Sequence, residues 1–532
     1  MPAFTWFRSA SLSIIAHHIL VHSTSHITIA SCLSLSAIMA SSLEKCPNEI
    51  IESIVLHLDF GDICSMRLTS RPMATKVTQG RYKSAFRTKH VDMTEGALRA
   101  LSDMTQPGWL GCQVQHLVVV GIVYNTKLLE SKVRKLMKQF ESEDEVEEED
   151  SENESKEEEI SKAEEDIRIL QQRQNDYTQF HESGMDVKLL SEAFSNIMAN
   201  SKNKRLPSLS LEVVVYREDS EQRILPLAGG SWKFIWKSAA VTFHTTMRAL
   251  ATSGLLVDQL NIYNDPKLQR CSLACDELAI LESVPHDLVT PLASLKSLSL
   301  SFSEQIFFYS KRDAERSQDP TEVIDWAESD VEKNSDEEEA EAADERNYIG
   351  IAKLLQLTHQ LEELKLHQYT LGRSPSVRPY WERPLQRIAE HASVMNLHRL
   401  ELRGLSVHGK DLLTLVQRAG VRKLSMTCVS MSSGSFRPLF DYCTSESSGM
   451  QELHCEDLSE QRLNVLFPKP GQFKSLLPGA PEGSDKLKRI GIELREPVIY
   501  TPSQSFTISS PYSQEIRRQY RREYGPPDRG VA

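Results

Sequence analysis

One phrase recurs through the second half of the chain and limits the folds open to it. It reads LVDQLNIYN at 256–264, LASLKSLSLSF at 292–302, QLEELKLHQYT at 360–370, NLHRLELRGLSV at 396–407, GVRKLSMTCVSM at 420–431 and GMQELHCEDLS at 449–459. The shared core is apolar, two polar, apolar, polar, apolar. That alternation puts the apolar side chains on one face of a short strand. Segments with helical spacing, such as YIGIAKLLQLTH and KDLLTLVQRAG, stand between the phrases. Strand and helix in alternation predict an α/β array in which each unit buries its apolar face against its neighbours.

The array resembles leucine-rich repeats, and the expected fold class is α/β with an irregular leucine-rich-repeat-like solenoid. The period is uneven and the Asn of the family motif is missing, so an ordinary α/β domain with LxxLxL strands is the alternative. The array is expected over 185–310 and 347–500, with 81–140 holding a first strand and helix. There, Lys89–Met93 reads as a strand, Thr94 as a cap, and Ala97, Leu98 and Leu101 as one helix face; Leu117–Val120 is a buried strand. Leu189, Leu190, Ala193, Phe194, Ile197 and Met198 share another helix face, SLEVVVY (210–216) reads as a strand, and GIELREPVIY (491–500) as a last one.

Two acidic runs interrupt this order. ESEDEVEEEDSENESKEEE opens a segment expected to be a solvated, disordered insertion over 141–184, and SDEEEAEAADE falls in a second over 311–346. Neither run shows an apolar face, and like charges repel. The basic end, 501–532, is expected to be a loose tail. Residues 1–38 read as a disordered leader or a start ahead of a more natural one at Met39, with a targeting segment as the alternative, because four histidines break the apolar stretch.

The net charge of −13 disfavours a nucleic-acid partner. No other stretch is long and apolar enough to span a bilayer, so no membrane partner is expected. Nine scattered cysteines form no dense framework and read as reduced thiols of a cytoplasmic or nuclear protein. The chain lacks a GxxxxGK[ST] loop, a strand-linked GxGxxG, a GxSxG elbow and an HExxH helix, so the expectation is a non-enzyme without cofactor or metal. Cys271 and Cys275 make a lone CxxxC, better read as two ordinary thiols than as half a zinc site. His454 and Cys455 are strand neighbours facing opposite sides.

Ahead of all this stands CPNEIIESIVLHLDFGDICSMRLTSRPMA, Cys46 to Ala74. Pro47 suits a first helical turn. Ile50, Ile51, Ile54, Val55 and Leu58 make a wide apolar stripe. Asp59 can cap a second helix bearing Ile63, Met66 and Leu68, and Ser70-Arg71-Pro72 opens a third with Met73 and Val77. Three helices in so short a stretch make a small core that gains from a partner.

This segment, taken as 39–80, resembles an F-box. The family pattern is Leu-Pro-x-Glu-[Ile/Leu], an apolar first helix, an acidic turn and an apolar-basic second helix. Pro47, Glu49, Ile50, Ile54 and Leu58 match the first half; Asp62, Ile63, Met66, Arg67, Leu68 and Arg71 match the second. Cys46 replaces the usual Leu, and Met73 stands near the place of a frequent tryptophan, as in many fungal members. The stretch FRTKHVDMTEGALRALSDM also looks like one that trails the F-box in filamentous fungal proteins. The resemblance implies docking on a Skp-type adaptor, and through it a cullin–RING ubiquitin ligase, while the rest of the chain selects an unidentified protein substrate. It implies adaptor contacts from Cys46, Pro47, Glu49, Ile50, Ile54, Leu58, Ile63, Met66 and Arg67. The alternative is a non-ligase scaffold whose N-terminal helices only cap the repeats. Lys365, His367, Glu401 and Arg403 fall on the polar phase of the repeat strands as candidate target-facing residues.

Overall fold

A computed structural model describes residues 43–503, apart from 79, 108–112, 144–149, 202, 218, 220–231, 266–270, 284, 304–338, 341, 370–379, 391–395, 462 and 469–482. The leader, most of the second acidic run and nearly all of the basic tail therefore lie outside the described residues. The chain divides into two compact units, one of residues 1–89 with 108–115 and one holding the remainder.

Among its described residues the first unit holds the short helices α1 (Asn48–Val55), α2 (Phe60–Thr69), α3 (Arg71–Val77) and α4 (Gly80–Ser84). The predicted breaks are present. Asp59 accepts from the Asp62 N–H at 2.8 Å and caps α2. Ser70 accepts from the Met73 N–H at 3.2 Å and caps α3, with Pro72 in its first turn. Ile51, Val55, Ile63, Met66, Met73, Val77 and Tyr82 form the core.

The second unit is organised by one open sheet. Its strands β1 (Thr88–Asp92), β2 (His116–Tyr124), β3 (Arg205–Tyr216), β4 (Leu256–Ile262), β6 (Ser297–Ser303), β7 (Glu363–Tyr369), β8 (Arg399–Arg403), β10 (Lys423–Thr427), β12 (Glu452–Glu456) and β15 (Lys486–Ile490) follow one another in chain order, while the short β5 (Leu273–Ala274) pairs with β6. From β2 to β12 every neighbour is parallel; β15 turns back antiparallel. Parallel neighbours require a crossover, which the intervening helices supply.

The register explains the recurring phrase. Leu117, Leu209, Leu260, Leu298, Leu364, Leu400, Leu424 and Leu453 stand side by side across the sheet. Val119, Leu211, Ile262, Leu300, Leu366, Leu402, Met426 and Cys455 make a second row, and both rows are buried throughout. Because the side-chain period is two, a one-residue slip would expose both rows, and this pins the register.

Beyond β7 each pass gains a second strand. β9 (Ser406–His408), β11 (Ser430–Ser433) and β13 (Ser459–Glu460) pair in parallel, and β14 (Leu463–Leu466) and β16 (Thr501–Ser503) extend that sheet antiparallel. Between first and second strand sits a left-handed corner, at Gly404, Cys428 and Asp457, with φ of 72°, 55° and 51°. The corner N–H donates outward each time: Gly404 to Thr427, Cys428 to Glu456 and Asp457 to Asp485, at 2.9–3.1 Å. At Gly404 a side chain is also excluded by space, since a Cβ would lie 2.5 Å from the Gln368 carbonyl oxygen.

Among the described residues, besides a single helical turn at Ile280–Ser283, the helices between these strands are α5 (Glu95–Thr105), α6 (Lys127–Glu143), α7 (Asp150–Glu182), α8 (Met185–Asn200), α9 (Trp232–Ser253), α10 (Pro285–Ala293), α11 (Arg346–Leu357), α12 (Arg383–Glu390), α13 (Gly409–Arg418) and α14 (Arg437–Thr444). Two expectations need correction. Within 141–184, residues 144–149 lie outside the described residues, and the described part is not a disordered insertion: α6 runs on to Glu143, and α7 fills 150–182 and packs against α6. Its charges hid an apolar stripe, for Ala163, Leu170 and Tyr177 recur every seventh residue and are buried together with Phe180. Glu and Lys are also good helix formers, and Arg168–Glu165 and Lys132–Glu159 offset part of the repulsion. Residues 491–500 are likewise not one strand. Gly491, at φ 62°, starts a 3₁₀ turn to Arg495, and the strands lie on either side as β15 and β16. Of the second acidic run, 304–338 is outside the described residues, whereas Ala342 is buried against Tyr380 and Trp381.

Candidate functional site

The first unit carries the nine residues expected at the adaptor interface. Pro47 precedes α1 in an extended conformation (φ −54°, ψ 152°), and Glu49 lies in the first turn, where a carboxylate favours the helix N-terminus. The wide apolar stripe of α1 is divided. Adjacent helix positions point 100° apart, so Ile51 and Val55 enter the core while Ile50 remains 50% exposed. Ile54 and Leu58 lean against the core from its margin, as does Cys46.

The nine residues fall into two sets. Pro47, Glu49 and Ile50 are exposed, with Cys46, Ile54 and Leu58 half-buried beside them. Ile63 and Met66 are 1% and 7% exposed and form part of the unit's own core. Arg67 is engaged within the unit. Its Nε donates to Thr78 Oγ1 at 3.0 Å, another guanidinium N–H donates to the Tyr82 hydroxyl, and the guanidinium lies 4.0 Å from the Tyr82 ring centroid. Burial pushes the Tyr82 hydroxyl's pKa up, against the opposing pull of Arg67.

Three more apolar side chains face outward: Leu56, Phe60 and Leu68, the last 82% exposed. Phe60 stacks on Tyr82 at 5.7 Å and meets the edge of Phe86 at 5.9 Å. Leu56 and Phe60 were legible only as apolar residues around a helix break, because spacing does not say which flank of so small a bundle stays open. Ile50, Leu56, Phe60 and Leu68 thus leave apolar surface open to solvent around α1 and α2.

In the second unit, register pairs Lys365 with Glu401 and His367 with Arg403. Lys365, Glu401 and Arg403 are half-buried, but His367 is buried, with Nδ1 3.0 Å from Ser301 Oγ. Burial first, and the Arg403 charge second, hold its pKa well below the usual histidine range, so it is neutral near pH 7. Arg403 donates to Asn264 Oδ1 at 3.2 Å. Cys271 and Cys275 are buried thiols, and burial drives the Cys271 pKa upward. Among the described residues no group of three or more His, Cys, Asp or Glu is arranged to hold a metal ion, and no helix is long and apolar enough to cross a membrane.

The first unit is thus a small helical bundle with apolar side chains on its outer surface. Residues 43–82 match the F-box domain model, and an F-box domain is present there. F-box domains generally bind Skp-type adaptors in cullin–RING ligases. No curated protein matches the chain.

Proposed function

We propose that this protein is the substrate-recognition subunit of a Skp–cullin–F-box type ubiquitin ligase, acting in the cytoplasm or nucleus. The F-box would dock on the Skp-type adaptor through Pro47, Ile50, Ile54 and neighbouring apolar groups. The strand–helix array, read as a degenerate leucine-rich-repeat-like solenoid, would bind the target. The array reading is supported by its two unbroken apolar rows and by the corner repeated at Gly404, Cys428 and Asp457. Such a subunit performs no bond chemistry; it raises the effective concentration of a target's lysines near a charged conjugating enzyme.

The observation that carries the docking reading is the outward half of α1, with Ile50 half exposed next to an exposed Pro47. Burying one such side chain contributes about 1.5–3 kcal/mol. Pro47→Ala combined with Ile50→Asp removes that contribution and places a carboxylate where a dry contact is needed. Both positions are exposed, so the fold should survive. The expected outcome is loss of co-purification with a Skp-type adaptor, with affinity down roughly a hundredfold or more. Undiminished binding would refute the reading.

A further inference from the structure

The start of α1 is held differently from the starts of α2 and α3. Those two helices have local side-chain caps, Asp59 and Ser70. Pro47 occupies the corresponding place in α1 and supplies none. The residue before it, Cys46, packs on the core where longer apolar side chains brace such a turn. A small thiol fixes the angle of the incoming chain less firmly than a leucine would.

A side chain from the third helix does so instead. The Lys76 ammonium donates to the Glu44 carbonyl at 2.7 Å and also to the Cys46 carbonyl, 32 and 30 residues away in sequence. At the other end of the helix the Arg81 guanidinium donates to the Leu56 carbonyl. Charge-assisted bonds of this kind are stronger and more directional than neutral ones. We infer that Lys76 is a positioning residue for adaptor docking: its ammonium fixes the 43–47 turn so that Pro47 and the Ile50 face of α1 are presented in one orientation. This rests on the docking reading above. Lys76 need not touch the adaptor, and it acts through the backbone of Glu44 and Cys46.

The test uses the full chain in three forms: wild type, Lys76→Met and Lys76→Arg. Amide hydrogen exchange over 46–55, where the Cys46 N–H bonds to the Leu43 carbonyl and the Ile51 N–H to the Pro47 carbonyl, reads the clamp without any partner, and titration with a purified Skp-type adaptor reads its consequence. The expected result for Lys76→Met is faster exchange confined to 46–55 and about tenfold weaker adaptor binding, while 60–84 keeps its protection. Lys76→Arg, which keeps the charge and the donors, should recover most of both. Unchanged exchange in Lys76→Met overturns the clamp. Faster exchange with unchanged affinity overturns its role in docking. If wild type itself does not bind the adaptor, the docking reading falls and the positioning role with it, whereas the exchange data separately report whether the clamp exists.

Discussion

The F-box unit and the strand–helix unit solve burial in opposite ways. In the strand–helix unit each apolar row is continuous from β2 to β12, and each leucine of the first row between Leu209 and Leu424 is flanked by its equivalents in both adjacent strands. The F-box has seven buried core residues and leaves Ile50, Leu56, Phe60 and Leu68 outward. A repeated array completes its own core, whereas a four-helix fragment of forty residues cannot, and its stability is open to increase by whatever covers it.

The contrast can be broken most sharply by equal truncations. Ile51→Ala removes about 2–5 kcal/mol, comparable with all that so small a core supplies. It should abolish exchange protection over 48–84 while β4–β12 stay protected. Leu400→Ala, of similar cost, should lower the urea midpoint of the strand–helix unit and leave it folded. Equal loss of protection in both units would remove the distinction.

Asp186 offers a smaller, pH-dependent test. Its carboxylate lies 2.6 Å from His181 Nδ1 and accepts from Thr245 Oγ1 at 2.6 Å, joining α7, α8 and α9. Burial raises its pKa, but the bonds from His181, Thr245 and the Val187 N–H outweigh that and leave it below the usual carboxylate range. A carboxylate with a lowered folded-state pKa stabilises above the unfolded value, and that stability is lost as pH falls below about 4 through the folded value. Asp186→Asn should therefore cost about 1–3 kcal/mol at pH 7 and progressively less near pH 3, read from urea midpoints at the two pH values. A penalty independent of pH would show that the carboxylate charge is immaterial.

Arg67→Met should destabilise the F-box by about 1 kcal/mol, the worth of its bond to Thr78 and its contact with Tyr82. Any weakening of adaptor binding should follow that destabilisation. Direct adaptor contact by Arg67 would appear instead as lost affinity at unchanged F-box stability. Smallest of all, Leu68→Ser should shift stability by no more than about 0.5 kcal/mol, because the side chain is already in water. A large loss would mean that the outward residues do hold the unit together.

Much of this was legible from local pattern. Each of the six copies of the recurring phrase contains a strand, since period-two alternation has one burial solution when one face must be dry. The helix starts at Asp59 and Ser70 were equally plain, because a short side-chain acceptor before an apolar run has few other uses. The α7 helix was not legible, because its charge density masked an apolar residue every seventh position. The outward direction of Ile50 against the inward direction of Ile51 was also hidden, for both belong to one wide stripe.

The amino-acid sequence by itself determined where the parallel strands of the recurring phrase and the capped short helices lie, because spacing and capping act within a few residues. Tertiary structure alone decided which edge of the α1 stripe stays open, that His367 is buried and neutral, and that Lys76 reaches back to the turn before Pro47. Those outcomes depend on groups from different elements meeting in space, as Lys76 meets carbonyls 32 and 30 residues before it, and no local periodicity encodes such a meeting.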